Sequence, residues 1–598
     1  MNTRASTLFP NKPTIHFHPE TKECPLCGTR LHVQKTWPKT VVTMDIGAFR
    51  AKETVLYCPK DQVTFNAGQL RKLVPKGATF GFDVIEEVGL ALFARCRNNQ
   101  EIMAELMAKN VFVSEREISY LGRKFIIYLA LGHRESQPLL RDLMARRGGY
   151  ILHLDGTCEG DSPNLFCGLD GISELVLDTI KIPSEKKELL IPFFQRIKEQ
   201  YGEPIALVHD MGKGIVTAVE EVFPGVADFI CHFYFLRDIG KDLLLDDYTI
   251  LQKRLRKFKV PPLLRQRSRY LEQKFNFPVE TIEEIMASLE SGIWKDATSP
   301  EHIPLIMAYT LIHWVFDYKR QSSGYGLPFD RPYLDFYRRL QIAHRLLGEI
   351  MDVHLRGLAK DNKPFLQIYR AFEKVVEDKR LNDLAANLER KAEVFDELRV
   401  AMRIALPEGK NGINDNGDDA DMKTIEQKVT VFRVWLVSST RRKTSYFSMI
   451  AQLDKYWEKL FTDPLPVVTP GGIMHIQPQR TNNILERFFR GEKRRGRKKS
   501  GTASLSKVLK TALADTPLIQ NLQNSEYMEI ILNGASSLGE RFSQIEAHLV
   551  QKEMKDARKS DEKILPAIKK LIRDSDLTMK ISALFSSSTK NANRHLRL

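Results

Sequence analysis

Between Glu486 and Gly501 the chain carries eight lysines and arginines against two glutamates, and Glu486 heads that basic run. A carboxylate set among cations can hold a divalent ion beside a phosphodiester while the cations grip the backbone on either side. One acid is too few for that chemistry, so others must come from elsewhere. Asp155 in "HLDGT" and Asp210 in "LVHDMGKG" answer the need, each closing an apolar, β-rich run just ahead of a glycine-containing loop. A second set of ligands lies near the amino terminus. "ECPLCG" supplies Cys24 and Cys27 at the two-residue spacing of a zinc knuckle, and "YCPKD" supplies Cys58 with Asp61 where a fourth cysteine would stand. Asp61, His16 or His18 could complete a tetrahedron around Zn²⁺; the other reading is a ribbon that folds without metal.

The elements that must position these residues follow from composition and pattern. A chain of 598 residues is too long for one compact core, and 43% hydrophobic residues suffice for globular packing throughout, so three or four domains are expected. A formal charge of +15 points to a polyanionic partner. No basic amphipathic or polybasic segment flanks an apolar span, which favours nucleic acid over lipid. No apolar run approaches the roughly 20 residues of a membrane span, and the opening "MNTRASTLFPNKPTIHFHPE" lacks the apolar centre of a secretory signal. A cytoplasmic, DNA-associated protein with no membrane contact is expected. Seven cysteines, an odd number, suit thiols or metal ligands better than a disulfide framework.

Along the chain, residues 1–20 read as disordered and 21–75 as a zinc-ribbon-like module. Residues 80–140 hold three helical stretches, the last two joined by the tight connection from Asn110 to Val113, as a helix-turn-helix needs. Ser114 and Glu117 read as a capping box for the last helix, whose Arg116, Ser119 and Arg123 would face DNA. From 145 to 245 three strands in quick succession precede alternating helix and strand, the order of an RNase H-like α/β core with a mixed sheet. In that order the strands ending at Asp155 and Asp210 lie side by side, and their carboxylates meet at one edge. Residues 246–475 form a large all-α insertion, 476–515 the final helix of the core with a basic loop, and 516–598 a basic helical appendage for packing or multimerisation. The whole is α-rich and multidomain. Ile484, Leu485, Phe488 and Phe489 recur at helical spacing, which sends Glu486 and Arg490 to a neighbouring face.

Rival acids for the first two places are Asp161, Asp170 and Asp178. Asp170 is the nearest substitute, but a meander puts it at the opposite end of the sheet. Cys231 and His232, adjacent on a strand, would point to opposite faces, which suggests Cys231 in the core and His232 near the acids. Trp294 and Trp314 read first as core residues and second as clamps for a flipped base. "PEGKNGINDNGDDADM", residues 407–422, has almost nothing to bury and reads as a flexible loop.

With these features in place the chain resembles prokaryotic insertion-sequence DDE transposases that carry a helical insertion before the final Glu, Mutator-like enzymes among them. "HLDGT" is similar to the family's first-acid strand, "LVHDMGKGI" to its second, "ICHFYFLRDIGKDL" to its strand-to-helix junction, and "RTNNILERFFRGEKRRGRKKSG" to its final-acid helix. The resemblance implies a DDE triad of Asp155, Asp210 and Glu486 holding two Mg²⁺ about 3.5–4 Å apart, with Mn²⁺ able to substitute. His232 and Asn483 would support the site. Arg487, Arg490, Lys493, Arg494, Arg495, Arg497, Lys498 and Lys499 would engage phosphates. The implied activity is strand cleavage at element ends followed by transfer of the 3′ hydroxyl into target DNA, carried out on double-stranded DNA by a homodimer or larger assembly. The alternatives are a structure-selective nuclease of the same fold that does not join ends, and a non-catalytic DNA-binding derivative.

Overall fold

The computed structural model describes residues 12–274, 279–292, 302–320, 322–355, 362–406, 421–501, 504–560 and 575–581. Trp294, residues 407–420 of the expected flexible loop, residues 1–11 and most of the chain after 560 lie outside them. Contacts divide the chain into two units, one of residues 1–150, 155–204 and 485–598, the other of 151–154 and 205–484.

The amino-terminal module is a small sheet of β1 (Thr14–Phe17), β2 (His32–Thr43), β3 (Gly47–Tyr57) and β4 (Thr64–Phe65), followed by α1 (Gly68–Leu73). The disorder expected over residues 1–20 does not extend to β1. That strand pairs in parallel with β3 from Thr14↔Arg50 to Phe17↔Glu53, because Phe17 is buried against Phe49 with ring centroids 6.2 Å apart. The helical block comprises α2 (Phe82–Gly89), which runs on through a π turn at Leu90–Ala94, then α3 (Asn99–Ala108), α4 (Glu115–Glu135) and α5 (Gln137–Arg146). Its reciprocal capping box is at Asn98 and Glu101. At the start of α4 Ser114 Oγ accepts the Glu117 N–H at 3.2 Å. Asn110, at φ 58°, turns the chain between α3 and α4.

Next come β5 (Ile151–Thr157), β6 (Asn164–Asp170), β7 (Val176–Ile182), α6 (Lys187–Tyr201), β8 (Ala206–His209), α7 (Lys213–Val222) and β9 (Ala227–Ile230). The five strands form one mixed sheet in the order β7-β6-β5-β8-β9, the RNase H-like arrangement. Every residue of β6 and β8 is buried. Strands covered on both faces read as continuous apolar runs rather than as alternating ones, which is why "IALVH" and "NLFCGL" looked alike in the sequence.

The insertion is built from α8 (His232–Lys257), α9 (Val260–Lys274), α10 (Val279–Ser291), α11 (Ile303–Phe316), α12 (Pro332–Ile350), α13 (Lys363–Val376), α14 (Lys379–Met402), α15 (Met422–Val437), α16 (Thr440–Ser445) and α17 (Phe447–Leu460), closed by a hairpin of β10 (Leu465–Thr469) and β11 (Gly472–Ile476). Its helices enclose two apolar cores, one around Leu251, Tyr337, Phe365 and Phe372, the other around Phe235, Phe395, Leu398 and Leu453. Helix α8 feeds both. The boundary expected between 245 and 246 therefore falls inside an unbroken helix. Trp314 packs on the first core with the Arg339 guanidinium 4.8 Å from its ring, as a core residue rather than a clamp.

The last elements are α18 (Asn483–Ser500), α19 (Ser506–Thr511), α20 (Ser525–Leu532), α21 (Leu538–Gln544) and α22 (Ala547–Ser560). The basic run expected as a loop is helical through Ser500. Arg, Lys and Glu are good helix formers, and Ile484, Leu485, Phe488 and Phe489 are all buried along one stripe. The described residues from 516 to 560 pack within their own unit. Asn521 donates to and accepts from the Val176 backbone at 2.8 and 2.9 Å, the Tyr527 hydroxyl lies 3.0 Å from His133 Nδ1, and Arg541 meets Glu135 at 2.6 Å. Among the described residues no helix is long and apolar enough to cross a membrane.

Candidate active site and metal centre

Strands β5 and β8 run parallel, with Ile151 opposite Ala206, Leu152 opposite Leu207 and His153 opposite Val208. Beyond these pairs β5 runs on through Asp155 to Thr157, whereas β8 ends at His209 and Asp210 is the residue after it. Asp155 is 4% exposed and its Oδ1 accepts the Gly156 N–H at 2.8 Å. Asp210 Oδ1 accepts the Gly212 N–H at 2.9 Å, and a Cβ on Gly212 would sit 3.0 Å from that oxygen.

The rival acids are accounted for locally. Asp170 is wholly buried and accepts the Ile172 N–H at 3.0 Å, the Ser173 N–H at 2.9 Å and the Ser173 hydroxyl at 2.5 Å, which closes the turn between β6 and β7. Asp178 takes the Thr179 N–H and the Arg196 guanidinium, and Asp161 pairs with Lys510.

Asn482, fully buried, does more than the flanking Asn483, which is half-exposed at the head of α18. Its Nδ2 donates to the Leu154 carbonyl at 2.8 Å, its Oδ1 lies 2.8 Å from His153 Nδ1, and its backbone N–H donates to Cys231 Sγ at 3.2 Å. An amide oxygen can only accept, so His153 carries its proton on Nδ1. Burial pushes that ring down to about 4, and it stays neutral. Next to it, the His232 N–H donates to the Arg480 carbonyl at 2.9 Å and the Arg480 guanidinium to the Met402 carbonyl at 2.8 Å. Residues 480–482 are therefore stitched to β5 and to the start of α8. Glu486, half-buried, comes four residues after Asn482, about one helical turn. The sequence showed two asparagines ahead of the acid; which one turns inward depends on helix phase, which spacing alone leaves open.

His232 and Cys231 do not lie on a strand, since β9 ends at Ile230. Cys231 is the N-cap of α8 and His232 its first residue, and both are buried. His232 Nε2 donates to the Leu460 carbonyl at 2.7 Å, and burial, reinforced by the Arg480 charge, pushes the ring down to about 3. A neutral ring 1% exposed braces the junction between the start of α8 and the end of α17. One acid escaped the sequence reading. Asp238 on α8 is pushed above the usual carboxylate range by burial, with Arg237 and Lys241 opposing and the Asp210 charge adding to the rise.

On α18, Arg487, Arg490, Lys493, Arg494, Arg497, Lys498 and Lys499 are exposed, while Arg495 is half-buried and held by Glu492 at 2.5 Å. Arg487 pairs with Glu174 at 2.8 Å, an exposed contact that water screens and DNA could exchange at little cost. On α4, Arg116 is exposed and Arg123 half-buried. Ser119 is committed within its own domain, donating to the Glu115 carbonyl and accepting from Asn99 Nδ2, both at 3.2 Å.

The cysteine cluster is built by two matched turns. In Cys24–Gly28 and in Cys58–Gln62 the fifth residue is left-handed, at φ 70° and 56°, and its N–H returns to the first cysteine's carbonyl at 2.8 and 2.9 Å. Asp61 thus holds the place in the second turn that Cys27 holds in the first. The β2–β3 hairpin, paired out to His32↔Tyr57, carries the two turns to one end. Ligand atoms of Cys24, Cys27, Cys58 and Asp61 all lie within 4.8 Å of one another, so Asp61 stands where a fourth donor would. Cys27 and Cys58 sulfurs are 3.6 Å apart, close to the edge of a tetrahedron with Zn–S bonds of about 2.3 Å. Hydrogen bonds from the Cys27 and Cys24 thiols hold the Asp61 carboxyl below its usual range. The quartet could hold a zinc ion. All seven cysteines are free thiols.

No protein-family model and no curated protein matches this chain. Among solved structures it is similar to the Drosophila P element transposase strand transfer complex, with 11% identity and a TM-score of 0.32 over 77% of this chain and 96% of that one.

Proposed function

We propose that this chain is a DDE-type DNA transposase, in which Asp155, Asp210 and Glu486 form one carboxylate site for divalent metal. The observation that carries the reading is the parallel pairing of β5, which holds Asp155, with β8, which Asp210 directly follows, the edge where open α/β sheets bind ligands. The Asn482 bond to Leu154 supports the third member, since it ties the chain one turn before Glu486 to the residue before Asp155. The donors are all carboxylate oxygens, which suit Mg²⁺ or Mn²⁺ better than zinc. When bound, a pair of such ions activates the attacking oxygen and stabilises the leaving one in an in-line displacement at phosphorus.

The chain's own groups do the rest. Gly156 and Gly212 N–H groups steer the two aspartates, Asn482 fixes the head of α18, and the exposed cations of that helix bind backbone phosphates on either side of the scissile bond. Cleavage by water and attack by a freed 3′ hydroxyl would use the same pocket, the nucleophile alone differing. The amino-terminal helical block and the cysteine module would supply choice of sequence, and two ends would be joined by a dimer or larger assembly.

The test is Asp155→Asn in an assay supplying precleaved ends and a supercoiled target. Binding retained with cleavage and joining both lost supports the reading. Metal-dependent cleavage by the variant at the parent rate removes Asp155 from the site. Cleavage without any joined product from the parent chain assigns a nuclease instead.

A further inference from the structure

A cavity in the amino-terminal unit is used by none of the chemistry above. Loop 75–80, one face of α4 and the body of α22 enclose about 620 Å³. Its walls are firm. The Thr79 carbonyl accepts the Val42 N–H and the Val42 carbonyl accepts the Gly81 N–H, both at 2.8 Å, so the loop is pinned to β2. Helix α22 is held to α4 by Arg134 and Glu553 at 2.8 Å and by buried Val550 and Met554.

Four of the lining residues are cations, Lys76, Lys124, Lys555 and Arg558, and Glu117 is the one acid among them. None of the four cations pairs with a carboxylate among the described residues. Gathering like charges opposes folding unless an anion joins them. Among them stands Tyr120, half-exposed, with Lys124 Nζ at 4.8 Å and the Arg558 guanidinium at 6.0 Å from its ring centroid. Both cations lie over the ring, and a strand held without regard to sequence would put a base in their place on that face while its phosphate draws them aside. An acidic peptide would answer the charges and leave the ring without a flat partner.

We infer that this cavity holds one nucleotide of a bound DNA strand, its base on Tyr120 and its phosphate between Lys124 and Arg558. The inference rests on the DNA-processing reading, and it moves the DNA-facing stripe of α4 from Arg116, Ser119 and Arg123 to Glu117, Tyr120 and Lys124.

The experiment is metal-free fluorescence anisotropy with the full chain and a labelled single-stranded oligonucleotide across a salt series. The variants are Lys124→Glu with Arg558→Glu, Tyr120→Ala, and a control with the same charge change at two exposed insertion residues, Lys253→Glu with Lys379→Glu. We expect the pocket pair to lose at least about tenfold in affinity, with the salt slope falling by about 1.5. Tyr120→Ala should lose about fivefold or more, and the control less than about twofold. Should the Glu pair lower the melting temperature, Lys124→Gln with Arg558→Gln takes its place. Equal losses in pocket and control variants, or none in either, overturn the inference. So does loss of poly-glutamate binding with DNA binding intact. The two readings fail separately: Asp155→Asn cleaving normally sinks the catalytic one and leaves these binding results standing, whereas unchanged binding by the pocket pair sinks only this one.

Discussion

The Cys24, Cys27, Cys58 and Asp61 quartet and the acids Asp155, Asp210 and Glu486 gather ligands in opposite ways. Each half of the quartet is a five-residue turn closed by its own backbone hydrogen bond, and one hairpin joins the halves. Its geometry is local. In the proposed site Asp155 and Asp210 come from one sheet and Glu486 from beyond the insertion, and what would relate them is the pairing of β5 with β8 and a buried amide. A quartet of that kind should lose its metal when one ligand goes and leave the sheet untouched. A site of the other kind should be sensitive to residues that touch no metal at all.

That contrast can be tested in falling order of effect. Glu486→Gln should lower cleavage by at least about 10³-fold while DNA binding holds, because a ligand to the metal pair contributes several kcal/mol to the transition state. Activity within a few-fold of the parent would detach α18 from the chemistry. Asn482→Ala should lower cleavage by about 10–100-fold and raise the Mg²⁺ concentration needed for half-maximal rate, as loss of an outer-shell support does. An unchanged metal requirement with a lower melting temperature would reduce Asn482 to packing.

In the quartet, Cys58→Ser should take bound zinc, read by atomic absorption, from about one per chain to none, with cleavage of a short precut substrate little changed. Asp61→Cys should keep the ion and hold it more tightly, since three thiolates and a carboxylate become the commoner four thiolates. Equal zinc in parent and Cys58→Ser would mean the module folds without metal.

The smallest effect is on stability. Burial pushes His133 and His153 down to about 4 and His232 to about 3, below the 6.5 of a free ring. The unfolded chain therefore takes up protons that the folded chain refuses. Their contribution is complete above about pH 6.5 and is lost as pH falls toward 4. Asp515, pushed up to about 6 by burial, acts in the opposite sense between about 4 and 6 and offsets one of the three. Thermal unfolding followed by circular dichroism should show a melting temperature several degrees lower at pH 5 than at pH 7; a flat profile would contradict the neutral buried rings.

Much of this was legible in the residues. Strand order followed from the succession of β-rich runs. The quartet could be read because its ligands sit at fixed short spacings. What escaped depended on contacts between distant segments. His153 looked like a strand residue until Asn482 was seen against it, and Asp238 like an ordinary helix carboxylate until α8 was seen beside Asp210. The Phe17–Phe49 contact that orders β1 joins residues no periodicity connects. His232 was misplaced because the strand ends at Ile230, at least two residues sooner than its apolar pattern suggests.

The central claim is that three carboxylates share metal, and crystals soaked in Mn²⁺ test it most directly. Anomalous density bridged by Asp155 and Asp210 with Glu486 in its coordination sphere is the result expected, and it should vanish in Asp155→Asn. Well-ordered crystals with no manganese between Asp155 and Asp210, or with Glu486 turned to solvent while the ion is bound, would contradict it.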